Sequence, residues 1–170
     1  MNETKFYIDS DGRYVGGFAG IEPPEGSIEV PFPPDYGDML WDGEKWYWTR
    51  EVQERRALQA LNQDFTRAMQ QLQTGWPIYE VLTWDKQATE ANAWLAAPEG
   101  QKPATPFLTS LFEKCAALGA QDTLESLIGR VHANDIRYTD DVTAIMAVRH
   151  VAEDQIAKSE EPISVTWQFP

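Results

Sequence analysis

GDMLWDGEKWYWTR, residues 37–50, is the stretch from which the rest of the chain can be parsed. Asp42-Gly43 is a turn dipeptide with an apolar run on each side, a strong short-range hairpin signal. Trp46 and Trp48 alternate with Tyr47 and Thr49, so the two tryptophans share a face. A two-residue loop at Asp42-Gly43 and a four-residue loop from Asp42 to Lys45 both put Met39, Trp41, Trp46 and Trp48 on one side of the ribbon. A three-residue loop would not, because a slip of one residue turns every side chain over. After Trp48 the period changes. Thr49 suits a helix N-cap, and Glu51 suits the positive helix start. Leu58, Leu61, Phe65, Met69 and Leu72 then recur at steps of three and four, which predicts an amphipathic helix over about 51–73. The stretch is a joint between an aromatic β part and a helical part.

Upstream, Phe6 and Ile8 alternate with Lys5, Tyr7 and Asp9, Ser10-Asp11-Gly12 makes a turn, and Tyr14-Val15 leads into Gly16-Gly17. This predicts a first hairpin over 4–20, with a bulge or a close backbone approach at the paired glycines. Ile28 and Val30 predict a third strand. Prolines at 23, 24, 31, 33 and 34 bracket it, so it is short or at an edge. Ten of the twenty aromatic residues fall within the first 50 positions. A few short strands cannot enclose that many rings, so some are expected to be exposed or packed against another element, and exposed aromatic groups mark contact surfaces.

Downstream, Thr74-Gly75-Trp76-Pro77 interrupts the helix. Val81, Trp84, Ala88, Ala91 and Leu95 form a second helical stripe, with Thr83 placed to cap a fresh start. Residues 97–106 form a loop, and a helix follows over about 106–118, stopped by Gly119. Residues 122–159 carry a long apolar stripe, as one helix or as two with a second start at Asp140-Asp141. Antiparallel helices joined by short loops are the economical packing. Ile163, Val165, Trp167 and Phe169 alternate with Ser164, Thr166 and Gln168 between prolines 162 and 170. This predicts a strand that either adds to the N-terminal sheet or pairs with another chain. The expected fold is α+β: a small antiparallel aromatic-rich β head over 1–50, a connecting helix over 51–75, a helical domain over 76–160 and a C-terminal β-strand over 161–170.

With 170 residues the chain is long enough for a real core. It carries 14 basic and 27 acidic residues, a net charge of −13. That balance repels nucleic acid and anionic membrane and favours solubility, apolar docking or basic partners. No charged-then-apolar leader and no apolar run of membrane-spanning length is present, so the expectation is a cytoplasmic protein without a membrane span. Cys115 lies in the apolar pattern Leu111, Phe112, Cys115, Leu118, which predicts a buried thiol.

The residue types of a catalytic centre are thinly supplied. His132 and His150 are the only histidines. On one helix their spacing of 18 separates them by about 27 Å at 1.5 Å per residue, so one helix cannot bring both to a metal. No zinc spacing, nucleophile elbow, phosphate loop or dinucleotide fingerprint is present. Asp140-Asp141 and Glu160-Glu161 are neighbours that point apart, and nothing local supports an acid/base pair. The expectation is a binding or scaffolding protein with no enzymatic activity, no cofactor and no metal.

The residues 81-VLTWDKQ-87, 90-EANAWL-95 and 105-TPFL-108 resemble the helical domain of phage tail proteins, whose pattern is roughly TWxxQxxEAxAW followed by a TPxL loop. With WDGEKW ahead of a long helix, the whole is similar to the phage tail-fibre assembly chaperones, including those of the R-type pyocins, which are phage-tail-like bacteriocins. The resemblance implies a cytoplasmic chaperone that binds a trimeric tail-fibre protein near its C-terminal tip. Long β-fibres have high contact order and unpaired edges before closure, so a shielding partner suits them. Trp41, Trp46 and Trp48, together with Ile163, Val165, Trp167 and Phe169, are the candidate contact residues. The alternative for the three tryptophans is the head's own core. The alternative function is a structural or receptor-binding tail component that recognises glycan through aromatic surfaces.

Overall fold

A computed structural model describes residues 3–170. The fold is α+β. Two antiparallel sheets come first and the helices follow, in two compact units. The first unit holds the described residues up to Asn62 together with Val151–Thr166, and the second holds Gln63–His150 with Trp167–Pro170.

In the first unit, β1 (Lys5–Ile8), β2 (Tyr14–Phe18) and β3 (Ile28–Val30) form a sheet of order β2-β1-β3. The proline-bracketed β3 is a three-residue edge strand, as its flanks predict. Tyr7 pairs with Gly16 and Ile8 with Tyr14, so Val15 is the extra residue of a bulge. Gly17 is a close approach as well, since a Cβ there would meet Thr4 Cγ2 at 3.0 Å and the Phe6 ring at 3.2 Å. The second sheet pairs β4 (Leu40–Trp41) with β5 (Trp46–Tyr47), Trp41 opposite Trp46. Its loop has four residues, closed by the Asp42 N–H donating to the Lys45 carbonyl at 3.1 Å. The two sheets meet at Gly12, whose carbonyl accepts from the Trp41 N–H at 2.9 Å. Gly12 has φ +80°, and a Cβ there would lie 2.6 Å from the Trp41 carbonyl oxygen. Both facts demand glycine.

Helix α1 (Arg50–Leu72) begins where the period change predicts. Thr49 caps it: its carbonyl accepts from Gln53 N–H at 3.0 Å, and its hydroxyl accepts a long bond of 3.4 Å from Val52 N–H. The helical stretch after the break is two pieces, α2 (Ile78–Val81) and α3 (Trp84–Ala96). Thr83 stands at the start of α3, but its hydroxyl donates back to the Glu80 carbonyl at 2.7 Å instead of capping. Helix α4 (Pro106–Ala117) ends at Gly119. There the Ala120 N–H bonds the Cys115 carbonyl and the Gly119 N–H bonds the Ala116 carbonyl, both at 3.0 Å. Helix α5 (Leu124–Lys158) is one helix. Asp140-Asp141 starts nothing new, because no glycine or proline follows to break the ladder.

Both units have aliphatic cores. Ile8, Val30, Leu61, Ala152 and Ile156 are buried in the first. In the second, Ala91, Leu108 and Ile128 join α3, α4 and α5, with Trp94, Phe107 and Val131 packed around them. Cys115 is exposed rather than buried. The stripe that predicted its burial is covered only at its N-terminal end, where Leu111 and Phe112 are half-buried, and Leu118 is 90% exposed. Among the described residues no helix is long and apolar enough to cross a membrane.

Along residues 163–169 burial alternates at every position. They form no ladder, so the predicted strand joins neither sheet. The segment meets helix α1 instead. Ile163 N–H donates to Gln53 Oε1 at 2.8 Å in the first unit. In the second, Trp167 Nε1 donates to Asp64 Oδ2 at 3.1 Å, and the Phe169 ring meets Phe65 at 6.2 Å.

Candidate partner-binding surface

The head's rings form a connected group. Trp41 meets Trp46 at a centroid distance of 5.3 Å, Phe32 meets Trp41 at 5.5 Å and Tyr14 meets Trp46 at 6.1 Å. All three contacts are edge-to-face, the geometry favoured by the ring quadrupole. Trp46 Nε1 donates to the Phe32 carbonyl at 3.0 Å, so the ring's one polar atom is satisfied internally. Trp41 and Trp46 are half-buried, and Phe32 is 48% exposed. Each tryptophan is thus partly covered and partly in water. Two-residue strands cannot cover rings of this size, which is why the group stays open.

Trp48 has a different job. Beyond the last paired residue, its ring meets Tyr36 at 5.3 Å, and the Arg56 guanidinium lies over both rings, 4.6 Å from Trp48 and 4.7 Å from Tyr36. Trp48 Nε1 donates to Asp38 Oδ1 at 3.0 Å. Arg56 binds the same carboxylate through two nitrogens, at 2.9 and 3.2 Å. The Arg56 bond, followed by the Trp48 bond, holds the Asp38 carboxyl below its ordinary range, against the opposing pull of desolvation. Asp42 is lowered too, by the backbone N–H groups of Lys45 and Glu44 that it accepts within the turn. Trp48 therefore works first as a clamp between the loop at 36–38 and α1.

Gln53 links Trp48 to the start of the C-terminal segment. Its Nε2 donates to the Trp48 carbonyl at 2.8 Å, while its Oε1 accepts the Ile163 N–H. One side-chain amide thus bridges two groups that the sequence nominated separately. Arg50 secures the same corner by donating to the carbonyls of Ser159 at 2.7 Å and Ala157 at 2.9 Å, at the negative end of α5. Ile163 and Val165 are half-buried in the first unit, and Trp167 and Phe169 are half-buried in the second. Gln53 was illegible in the sequence, because a polar residue in a helix's first turns is ordinary there.

The residues that carry the tail-protein pattern hold the second unit together. The Glu90 carboxylate accepts the N–H groups of Phe107 and Leu108 at 3.0–3.1 Å, filling the open N-terminus of α4. Lys102 Nζ donates to the carbonyls of Trp94 at 3.2 Å and Ala97 at 2.8 Å while lying 4.4 Å over the Trp94 ring. Gln87 Nε2 donates to Thr83 Oγ1 at 2.8 Å. Within the pattern, Glu90 is the residue that docks α3 onto α4.

Two features of this unit escaped the sequence reading. Ile78, Tyr79 and Leu82 lie off the stripe of Val81, Trp84 and Ala88, and they are exposed, Tyr79 by 81%. The off-stripe spacing was the available signal. His132 Nδ1 lies 2.7 Å from Asn92 Oδ1, while Asn92 Nδ2 donates to Asp135 Oδ2 at 2.9 Å. That direction makes the histidine Nδ1 the donor. These polar groups line an open groove of about 570 Å³ with Leu95 and Ile136.

No protein-family model, curated protein or solved structure matches this chain.

Proposed function

We propose that this protein is a chaperone, without catalytic chemistry of its own, that binds a trimeric tail fibre near its C-terminal tip and assists its folding and assembly in the cytoplasm. The observation that carries the reading is the open aromatic group of the head, where Phe32, Trp41, Trp46 and Tyr14 meet edge to face yet remain partly in water. Half-exposed rings on a hydrogen-bonded frame keep their area for a partner at little conformational cost. The likeness of residues 81–108 to tail-associated helical domains supplies the identity of that partner. The acidic surface supports the reading further, since it keeps the protein away from nucleic acid and leaves the apolar patches as the contact.

The test is co-expression with the tail-fibre polypeptide. The wild-type protein is expected to raise the yield of soluble trimeric fibre and to co-purify with fibre that has not matured. Trp41→Ala and Trp46→Ala are expected to lose both effects while the helical body keeps its circular dichroism. Fibre that matures equally well without the protein would overturn the reading. Unchanged fibre yield together with binding of the isolated protein to a glycan array would replace it with the receptor-binding alternative.

A further inference from the structure

We propose that the groove between α3 and α5 is a docking site for an arginine side chain presented by a polypeptide segment of a partner. It uses none of the head's residues and does not depend on the chaperone reading. Both walls are helix faces that the core leaves over. On α5, His132, Asp135, Ile136, Thr139 and Asp140 follow at steps of three and one, so they share a face. On α3, Asn92, Leu95 and Ala96 do the same. The buried contact of these helices uses other positions, Ala91 on α3 and Ile128 on α5. Hydrogen bonds tie the two walls together without a ligand. His132 Nδ1 donates to Asn92 Oδ1 at 2.7 Å, and Asn92 Nδ2 donates to Asp135 Oδ2 at 2.9 Å.

Charge selects the occupant. Asp135 and Asp140 both line the groove, and no lysine or arginine lines it among the described residues. Neither carboxylate takes part in an ion pair among the described residues. Asp135 spends one oxygen on Asn92, and the side chain of Asp140 accepts no hydrogen bond among the described residues. Two uncompensated carboxylates in one concave site favour a cation. The same groove is also apolar, with Leu95 and Ile136 exposed in it. An arginine answers both features. Its methylene stem can lie along Leu95, Ala96 and Ile136, and its planar guanidinium carries five donors for the two carboxylates. A lysine ammonium is a compact, strongly hydrated point charge and matches a pair of acceptors less well. A metal ion lacks its oxygen shell here, since no group of three or more metal-ligating side chains occurs among the described residues. At about 570 Å³ the groove is large enough for the arginine and its chain neighbours, within the roughly 300–1,000 Å³ of ligand sites.

The experiment titrates the full chain, labelled with nitrogen-15 and held at low salt, with three tripeptides blocked at both ends: Ala-Arg-Ala, Ala-Lys-Ala and Ala-Gln-Ala. The arginine peptide is expected to shift the amide signals of Asn92, His132, Ile136 and Asp140 and to saturate at millimolar concentration. Added salt is expected to weaken it. Asp140→Asn keeps the side chain's shape at an exposed position and removes one charge. It is expected to weaken the arginine peptide about fivefold while the rest of the spectrum matches the wild type. Equal binding of the lysine peptide overturns the assignment to a guanidinium. Equal binding of the glutamine peptide overturns the part played by charge. Shifts scattered over the acidic surface, shifts that Asp140→Asn leaves unchanged, or no shift at millimolar peptide overturn the site itself. Each of these results leaves the fibre co-expression test as it was, so the groove and the chaperone reading fail separately.

Discussion

In the second unit Ala91, Leu108 and Ile128 are fully enclosed where three helices meet, whereas in the first unit the rings of Tyr14, Phe32, Trp41 and Trp46 meet at their edges and remain partly in water. The difference follows from what surrounds each group. Long helices present continuous faces that close over branched aliphatic side chains. Two-residue strands and a proline-rich loop do not close over indoles. The body therefore gains its stability from burial. The head buries only the small aliphatic pair Ile8 and Val30 and adds polar fixings: the Asp38–Arg56–Trp48 clamp, the Asp42 turn and the Gly12–Trp41 backbone bond. A surface that is apolar, half-open and held by hydrogen bonds is suited to receiving a partner, while a closed aliphatic core is suited to carrying it.

Mutations can break this comparison or sharpen it. The largest effect is expected for Leu108→Ala, which opens a cavity at a fully enclosed site and should cost about 3–5 kcal/mol in urea denaturation. Trp41→Ala should cost less, about 1–2 kcal/mol, because the ring is half-exposed already. Equal losses would mean that the head is a core like the body. Glu90→Ala leaves the Phe107 and Leu108 N–H groups without their acceptor and should cost about 1–2 kcal/mol, read in the same denaturation. Gln53→Ala removes the bridge between Trp48 and Ile163 and should cost about 1 kcal/mol. Its clearer sign is faster deuterium exchange at Ile163, with Leu108 unaffected.

The smallest effect concerns pH and belongs to the head. Asp38 and Asp42 have folded-state carboxyls held below their unfolded values. Their contribution is therefore complete above the unfolded carboxylate range, near pH 4, and is lost as pH falls through the lower folded values. Trp48 fluorescence should hold steady from neutral pH down to about pH 4 and change below it. In Asp38→Asn the part of that change due to the clamp should disappear. A transition at neutral pH would point to another group.

Much of this was legible in the chain. Asp42-Gly43 between alternating aromatics gave the hairpin and its four-residue loop was one of two expected. Gly16-Gly17 announced the bulge that now falls at Val15, and the steps of three and four from Leu58 to Leu72 gave α1. These are signals that neighbours in sequence settle by themselves. Burial of Cys115 and the addition of 163–169 to the N-terminal sheet, one of its two expected places, do not occur, because periodicity reports which residues share a face and says nothing of what covers that face. The face of α4 is left open from Cys115 onward, and residues 163–169 meet a helix instead of a strand.

The candidate surface divides along the same line. The sequence nominated Trp41, Trp46 and Trp48 as one set, but only the folded chain separates them, giving two to an open ring group and the third to a clamp with Arg56. It also supplies Gln53 and Phe32, which no motif marks. By itself the sequence determined the α+β class, the places where strand gives way to helix and the acidic, aromatic character, because each depends on local periodicity or on composition. Tertiary structure alone decided which rings stay wet, what Glu90 caps and that the last strand-like segment joins neither sheet. Those outcomes depend on which distant groups arrive within hydrogen-bonding reach, and spacing along a chain does not encode that.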